Sequence, residues 1–200
     1  MGQYYKAWVL NARQEGTIES WDFDNGSKLM EHSWWGNSFV NAVMYMIKDN
    51  PSVVAWVGDY SDDVACPELV YKYCWPSSEE EEDKHRLIPE PPENYLWDDN
   101  NKCRKTHGTG YIVNYNRCSY IDLDEYIANN EPSEAGWDGI VHPLPLLTSI
   151  GNGQGGGDYH KGRAFDMVGT WFGDVIEYTA EKPPEAFEDI TDTVLFKEER

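Results

Sequence analysis

A chain of 200 residues with nine Trp, thirteen Tyr and six Phe has enough large aromatic surface for one buried core and is too aromatic to be disordered throughout. Thirty-six acidic side chains against sixteen basic ones leave a net charge of −20, which repels nucleic-acid phosphates and anionic membrane surfaces. No stretch approaches the roughly 18 apolar residues of a membrane span. The opening residues lack a secretory pattern, and Cys66, Cys74, Cys103 and Cys118 show neither Cys-x-x-Cys nor zinc spacing, so free thiols in a cytoplasmic protein are expected.

In chain order, residues 3–11 and 16–23 alternate apolar and polar side chains and predict an opening hairpin that ends at Asn25-Gly26. A short helix is expected over 27–32. Phe39, Val40, Val43, Met44 and Ile47 share one helical face, which predicts a helix over 37–48 with Asn37 as its cap and Asn50-Pro51 as its stop. The apolar run 52–58 predicts a buried strand, and Pro67 would open one or two helical turns over 67–74. Residues 76–106, with the Glu79–Asp83 block and Pro89, Pro91 and Pro92, read as a mobile acidic insertion.

Residues 111–115 and 119–121 predict a second hairpin, and Asp122 and Asp124 suit the first turn of a short helix. The proline-interrupted run 139–147 suits an edge strand. Residues 163–179 read as a long strand-like stretch, and 190–196 as a last strand. The fold class is mixed α/β (α+β), a mainly antiparallel sheet with one principal helix and the long acidic insert, in a single domain over 1–200.

Five glycines stand within Gly151-Asn-Gly-Gln-Gly-Gly-Gly157, ahead of Asp158-Tyr159-His160. Gly151, Gly153 and Gly156 satisfy G-x-G-x-x-G, but no helix opens after them, so a dinucleotide fold is not supported. Gly157-Asp158 occupies the Lys-Ser/Thr position of a phosphate loop and puts a carboxylate where a cation is needed. What remains is a loop whose glycine amides (Gly153, Gly155, Gly156, Gly157) could meet a ligand. Lys161 and Arg163 are the nearby cations, and Asp158 and His160 would share one face of an extended segment.

A second cluster precedes the main helix: Glu31-His32-Ser33-Trp34-Trp35-Gly36-Asn37. His32 is a candidate acid or base with Glu31 as partner, and Trp34 or Trp35 a candidate stacking surface. His142, between apolar neighbours, reads as a packed histidine. Asp22-x-Asp24-Asn-Gly26 falls short of a calcium loop, since Ser27 and Ser33 hold its sixth and twelfth positions. No serine or cysteine nucleophile signature occurs.

Met-Gly-Gln-Tyr-Tyr-Lys-Ala at the start, Lys28-Leu-Met-Glu-His-Ser with Gly36-Asn37, and His142-Pro-Leu-Pro-Leu-Leu with the glycine loop resemble a family of small uncharacterised proteins of bacteria and their phages. The resemblance implies a phage-linked cytoplasmic accessory protein, by analogy an inhibitor or sequestering protein acting against host defences, and carries over no catalytic residue. The expected function is a non-enzymatic binding protein that sequesters a small polar or nucleotide-derived ligand, without cofactor or metal. Two alternatives stand beside it. One is a small enzyme using His32 or His160 with Asp158 or Glu31. The other is an acidic inhibitor or nucleic-acid mimic that meets a basic surface of a host protein. Direct nucleic-acid binding and membrane association are not expected.

Overall fold

The opening alternation becomes β1 (Tyr5–Leu10) and β2 (Glu15–Glu19), antiparallel, with Ala7 opposite Ile18. The computed structural model describes residues 1–61, 69–89, 110–129, 140–160, 162–195 and 197–198. Beyond Glu19 the chain coils into a 3-10 turn, Ser20–Phe23, instead of continuing as strand. α1 (Leu29–His32) and α2 (Ser38–Met46) follow. Asn37 caps α2 as expected, its side chain accepting from the Phe39 and Val40 amides at 2.9 and 3.3 Å. β3 (Ser52–Gly58) lies antiparallel to β1, with Trp56 opposite Ala7.

After a π-helical segment, Leu69–Cys74, comes α3 (Glu79–His85). β4 (Tyr111–Asn114) and β5 (Ser119–Asp122) form the second hairpin, followed by α4 (Leu123–Asn129) and α5 (Pro143–Thr148). The last strands are β6 (Ser149–Ile150), β7 (Gly162–Arg163), β8 (Val175–Thr179), β9 (Glu188–Asp189) and β10 (Lys197–Glu198). The main sheet runs β2-β1-β3-β8-β4-β5-β9, with β6 parallel to the end of β3 and β7–β10 forming a separate pair. Mixed α/β with a mostly antiparallel sheet is therefore the fold class.

The sheet buries both faces of β1 and β3, which is why 53–57 reads as unbroken apolar sequence. On the first face Tyr5, Ala7, Val9, Val54 and Trp56 meet α2 and α5 in the larger core. On the second face Trp8, Ala55 and Val57 pack against Leu69 and Cys74. Lys6 also points to that second face and is buried. Its ammonium pairs with Glu19 at 2.9 Å and with Glu82 of α3, and lies 4.5 Å from the centre of the Trp75 ring.

Five expectations change. Five α-helices form among the described residues, so there is no single principal helix. The acidic block is helical: Ser78 caps α3, and four glutamates fill a first turn where the helix dipole favours negative charge. Residues 86–87 then lie along the outer edge of β2, where the Leu87 amide donates to the Thr17 carbonyl at 2.6 Å. Residues 90–106 lie outside the described residues, as does Pro67.

The expected edge strand over 139–147 is largely α5. Pro143 stands at the start of that helix, where an amide proton has no intrahelical acceptor, and His142 caps it by accepting from the Leu144 amide at 3.1 Å. The stretch 163–179 begins in β7, turns through a 3-10 segment at Phe165–Met167 and returns to strand at β8. Residues 191–194 form a further 3-10 turn within the span where the last strand, 190–196, is expected, and the last strand is β10.

Candidate functional site

The segments singled out in the sequence converge. The Gln3 amide donates to the Gly156 carbonyl (3.1 Å), and the Gly156 amide to the Met1 carbonyl (2.9 Å). The Met30 amide donates to the Gly157 carbonyl (2.9 Å), and the His142 amide to the Ser33 carbonyl (2.8 Å). Residues 1–5, 28–37, 140–147 and 151–160 thus share one end of the larger core. No sequence pattern announces this joining, because each bond spans residues far apart in the chain.

Asp158 organises the glycine loop from within. It is buried, and its Oδ2 accepts from the Gly153 amide at 2.7 Å and the Gly155 amide at 3.0 Å. The Tyr5 hydroxyl donates to Oδ1 at 3.1 Å. The cradle that resembled an anion nest is filled by the chain's own carboxylate. Burial first, and the adjacent Asp158 second, push the Tyr5 hydroxyl far above its ordinary pKa. Gly155 also lets the N-terminal segment dock: a Cβ there would lie 2.6 Å from Gln3 Cβ and 2.8 Å from its backbone nitrogen. Gly153 has a different need, a φ of +92° with open space around it.

The Asp158–His160 pair does not form. Asp158 faces inward while His160 is exposed. Lys161 lies outside the described residues, and Arg163 is described only as backbone in β7.

His32 is fully buried between Phe39 and Trp56. Its Nδ1–H donates to the Gly26 carbonyl at 2.9 Å, and its Nε2 accepts from the Trp56 indole at 3.1 Å. Burial holds its pKa down, from 6.5 to about 4. Glu31 is turned to the Lys28 ammonium at 2.8 Å instead of to the imidazole. Trp35 stacks within the fold, 5.0 Å from the His142 ring and 6.4 Å from Tyr126. Trp34 donates its indole N–H to the Met30 carbonyl at 3.0 Å. Asn37 serves its helix cap. The sequence-predicted polar and aromatic groups are therefore largely engaged in holding this end of the molecule together.

Open space lies beside them. A cleft of about 370 Å³ is walled by Gly151 and Asn152 at the head of the glycine loop and by Phe165, Val168 and Phe172 opposite. Two bonds fix the second wall: the Gly169 and Trp171 amides donate to the Leu146 and Leu147 carbonyls at 3.0 and 2.7 Å, satisfying the end of α5. Asn152 is held by a reciprocal pair of bonds to the Tyr159 backbone, at 2.8 and 3.3 Å. Among the described residues the lining contains no titratable side chain. Phe165 and Phe172 escaped the sequence reading because their segment looked like strand; the only available signal was an aromatic spacing of seven around Gly169.

Comparison with protein-family models, with curated proteins and with solved structures finds no match.

Proposed function

We propose that this protein is a non-enzymatic binding protein whose ligand is a small planar molecule of nucleobase or nucleoside type. The observation that carries this reading is the cleft between the glycine loop and Phe165–Phe172. Its volume of about 370 Å³ falls in the range of small-molecule sites, and aromatic rings line one wall. Stacking on Phe165 or Phe172 supplies affinity, and the backbone at Gly151 and Asn152 supplies polar contacts.

The charge pattern favours an uncharged ligand over a phosphorylated one. The Gly153 and Gly155 amides already serve Asp158, and the molecule carries −20 overall. Among the described residues the lining holds no titratable side chain, which favours holding over turnover, and His32 has both ring nitrogens committed to structure.

Calorimetric titration with adenosine, guanosine and their 5′-monophosphates tests the proposal. Nucleosides should bind more tightly than monophosphates. Phe172→Ala should weaken nucleoside binding by about tenfold, the worth of one stacking contact of about 1–3 kcal/mol. Binding that survives loss of both Phe165 and Phe172, or no binding of any nucleoside, would remove the reading.

A further inference from the structure

β2 stands at one end of the main sheet, and its outer edge is covered by the chain's own segment 78–89. The contact is parallel, with Arg86 beside Thr17. The Leu87 amide donates to the Thr17 carbonyl at 2.6 Å, and the Thr17 hydroxyl donates to the His85 carbonyl at 3.4 Å. Three side chains anchor the segment. Arg86 donates to one carboxylate oxygen of Asp22 through Nε at 3.1 Å and to the other through Nη2. Leu87 packs at the rim of the larger core over Gly16, where a Cβ would lie 2.7 Å from Leu87 Cγ and would strike the His85 carbonyl. Glu82 reaches the buried Lys6 ammonium.

We infer that the β2 edge is a strand-addition site for an extended peptide of a partner protein, and that segment 78–89 is its displaceable internal occupant. Two observations set this segment apart from the sheet it covers. α3 buries none of its residues, so the three anchors and the edge bonds carry the attachment. The segment also leaves a group beneath it unmet. Trp8, opposite Thr17 in the register, is 8% exposed, and its indole N–H has no acceptor among the described residues. The Tyr73 ring joins it to α3, lying 6.2 Å from Trp8 and 4.8 Å from His85. A buried donor without an acceptor costs free energy, which an incoming strand bearing a carbonyl or carboxylate there recovers.

The anchors define the partner's chemistry. It needs an arginine to meet Asp22 through two bonds, an aliphatic residue directly after it for the Gly16 notch, and an acidic residue four positions earlier for Lys6. Glu15, Glu19 and Asp22 give this edge a negative field that draws the arginine in. The tethered occupant competes at high effective concentration, so the edge stays closed until a better match arrives.

The probe is a fluorescein-labelled peptide of residues 78–89, its binding to the full chain followed by anisotropy. The wild-type chain, its edge occupied, should bind it weakly. Glu82→Gln with Arg86→Ala loosens the internal occupant and should tighten binding about tenfold or more. In that background Asp22→Asn, or Arg86→Ala made in the peptide, should remove the gain, and Gly16→Val should abolish binding by filling the notch. Leu87→Ala alone keeps both ion pairs and should give a smaller gain. Amide exchange on the same samples should show protection lost over 79–87 and kept in β3. Loosened variants that keep β3 protected yet bind no more tightly than wild type would make 78–89 a fixed part of the fold and overturn the inference. Loss of β3 protection in both loosened variants would do the same, as would a gain indifferent to Asp22→Asn and Gly16→Val. Phe172→Ala should leave peptide binding unchanged, so this edge and the nucleoside cleft stand or fall separately.

Discussion

Asp158 does at residue scale what a bound anion does in a phosphate loop, and its removal has a calculable effect. Asp158→Asn keeps one acceptor oxygen but presents an amide N–H₂ to groups that are themselves donors. Leaving buried donors unmet costs about 1–3 kcal/mol each, so a loss of about 3 kcal/mol is expected, read as a shift in the urea midpoint at constant slope. His32 gives a pH dependence of definite sign. In the unfolded chain it protonates near its ordinary 6.5; in the folded protein only near about 4. Between those values the unfolded state binds the extra proton, so the contribution of His32 is fully present above about pH 6.5 and declines toward pH 4, by about 3 kcal/mol in all. His32→Asn should flatten that part of the stability-versus-pH curve, and the His32 imidazole resonances, assigned by their loss in that variant, should stay in the neutral form at pH 5. A His32 titration near 6.5 in the native protein would contradict the buried hydrogen-bonded ring. The sequence shows that both residues are polar groups in unusual company, but not which way they point.

Elements governed by local rules follow their patterns, and those governed by distant contacts do not. α2 was legible from its apolar face and Asn37, and the β1–β2 and β4–β5 hairpins from alternation and short polar turns. α5 was not, because Pro143 and Pro145 resemble strand breakers until the ring of His142 and the amides of Gly169 and Trp171 are seen capping both ends. α3 was taken for solvated chain because nothing local links it to Lys6, which lies far away in β1. Glu82→Gln weakens that link and should raise amide exchange across 79–87 while leaving protection in β3 and α2 nearly unchanged. Lys6→Ala leaves Glu19 buried without its cation and should cost about 3 kcal/mol or more. Lys6→Met leaves the same carboxylate unpaired and should cost nearly as much, whereas Lys6→Met combined with Glu19→Leu should recover much of the loss. A double substitution as destabilised as Lys6→Ala would show that the ion pair contributes more than compensation of a buried charge.

For the whole molecule, a charge of −20 on 200 residues means self-repulsion that salt relieves. Raising sodium chloride from about 20 to about 200 mM should raise Tm by a few degrees, and a fall would mean that pairs such as Lys6–Glu82 outweigh the general repulsion. No described helix is long and apolar enough to cross a membrane. The sequence by itself determined the mixed α/β class, the first hairpin, β3, α2 with its cap and the second hairpin, because those depend on side-chain periods and turn residues within a few positions of one another. It also located the glycine loop and the Glu31–Asn37 cluster as unusual. Only the tertiary structure decided that the loop closes on its own carboxylate, since Tyr5 and Asp158 are 153 residues apart. It likewise decided that His32 is spent on Trp56 and Gly26, and that open space lies beside Phe165 and Phe172. A hydrogen-bond partner is chosen by where the chain returns in space, and neither periodicity nor spacing encodes that return.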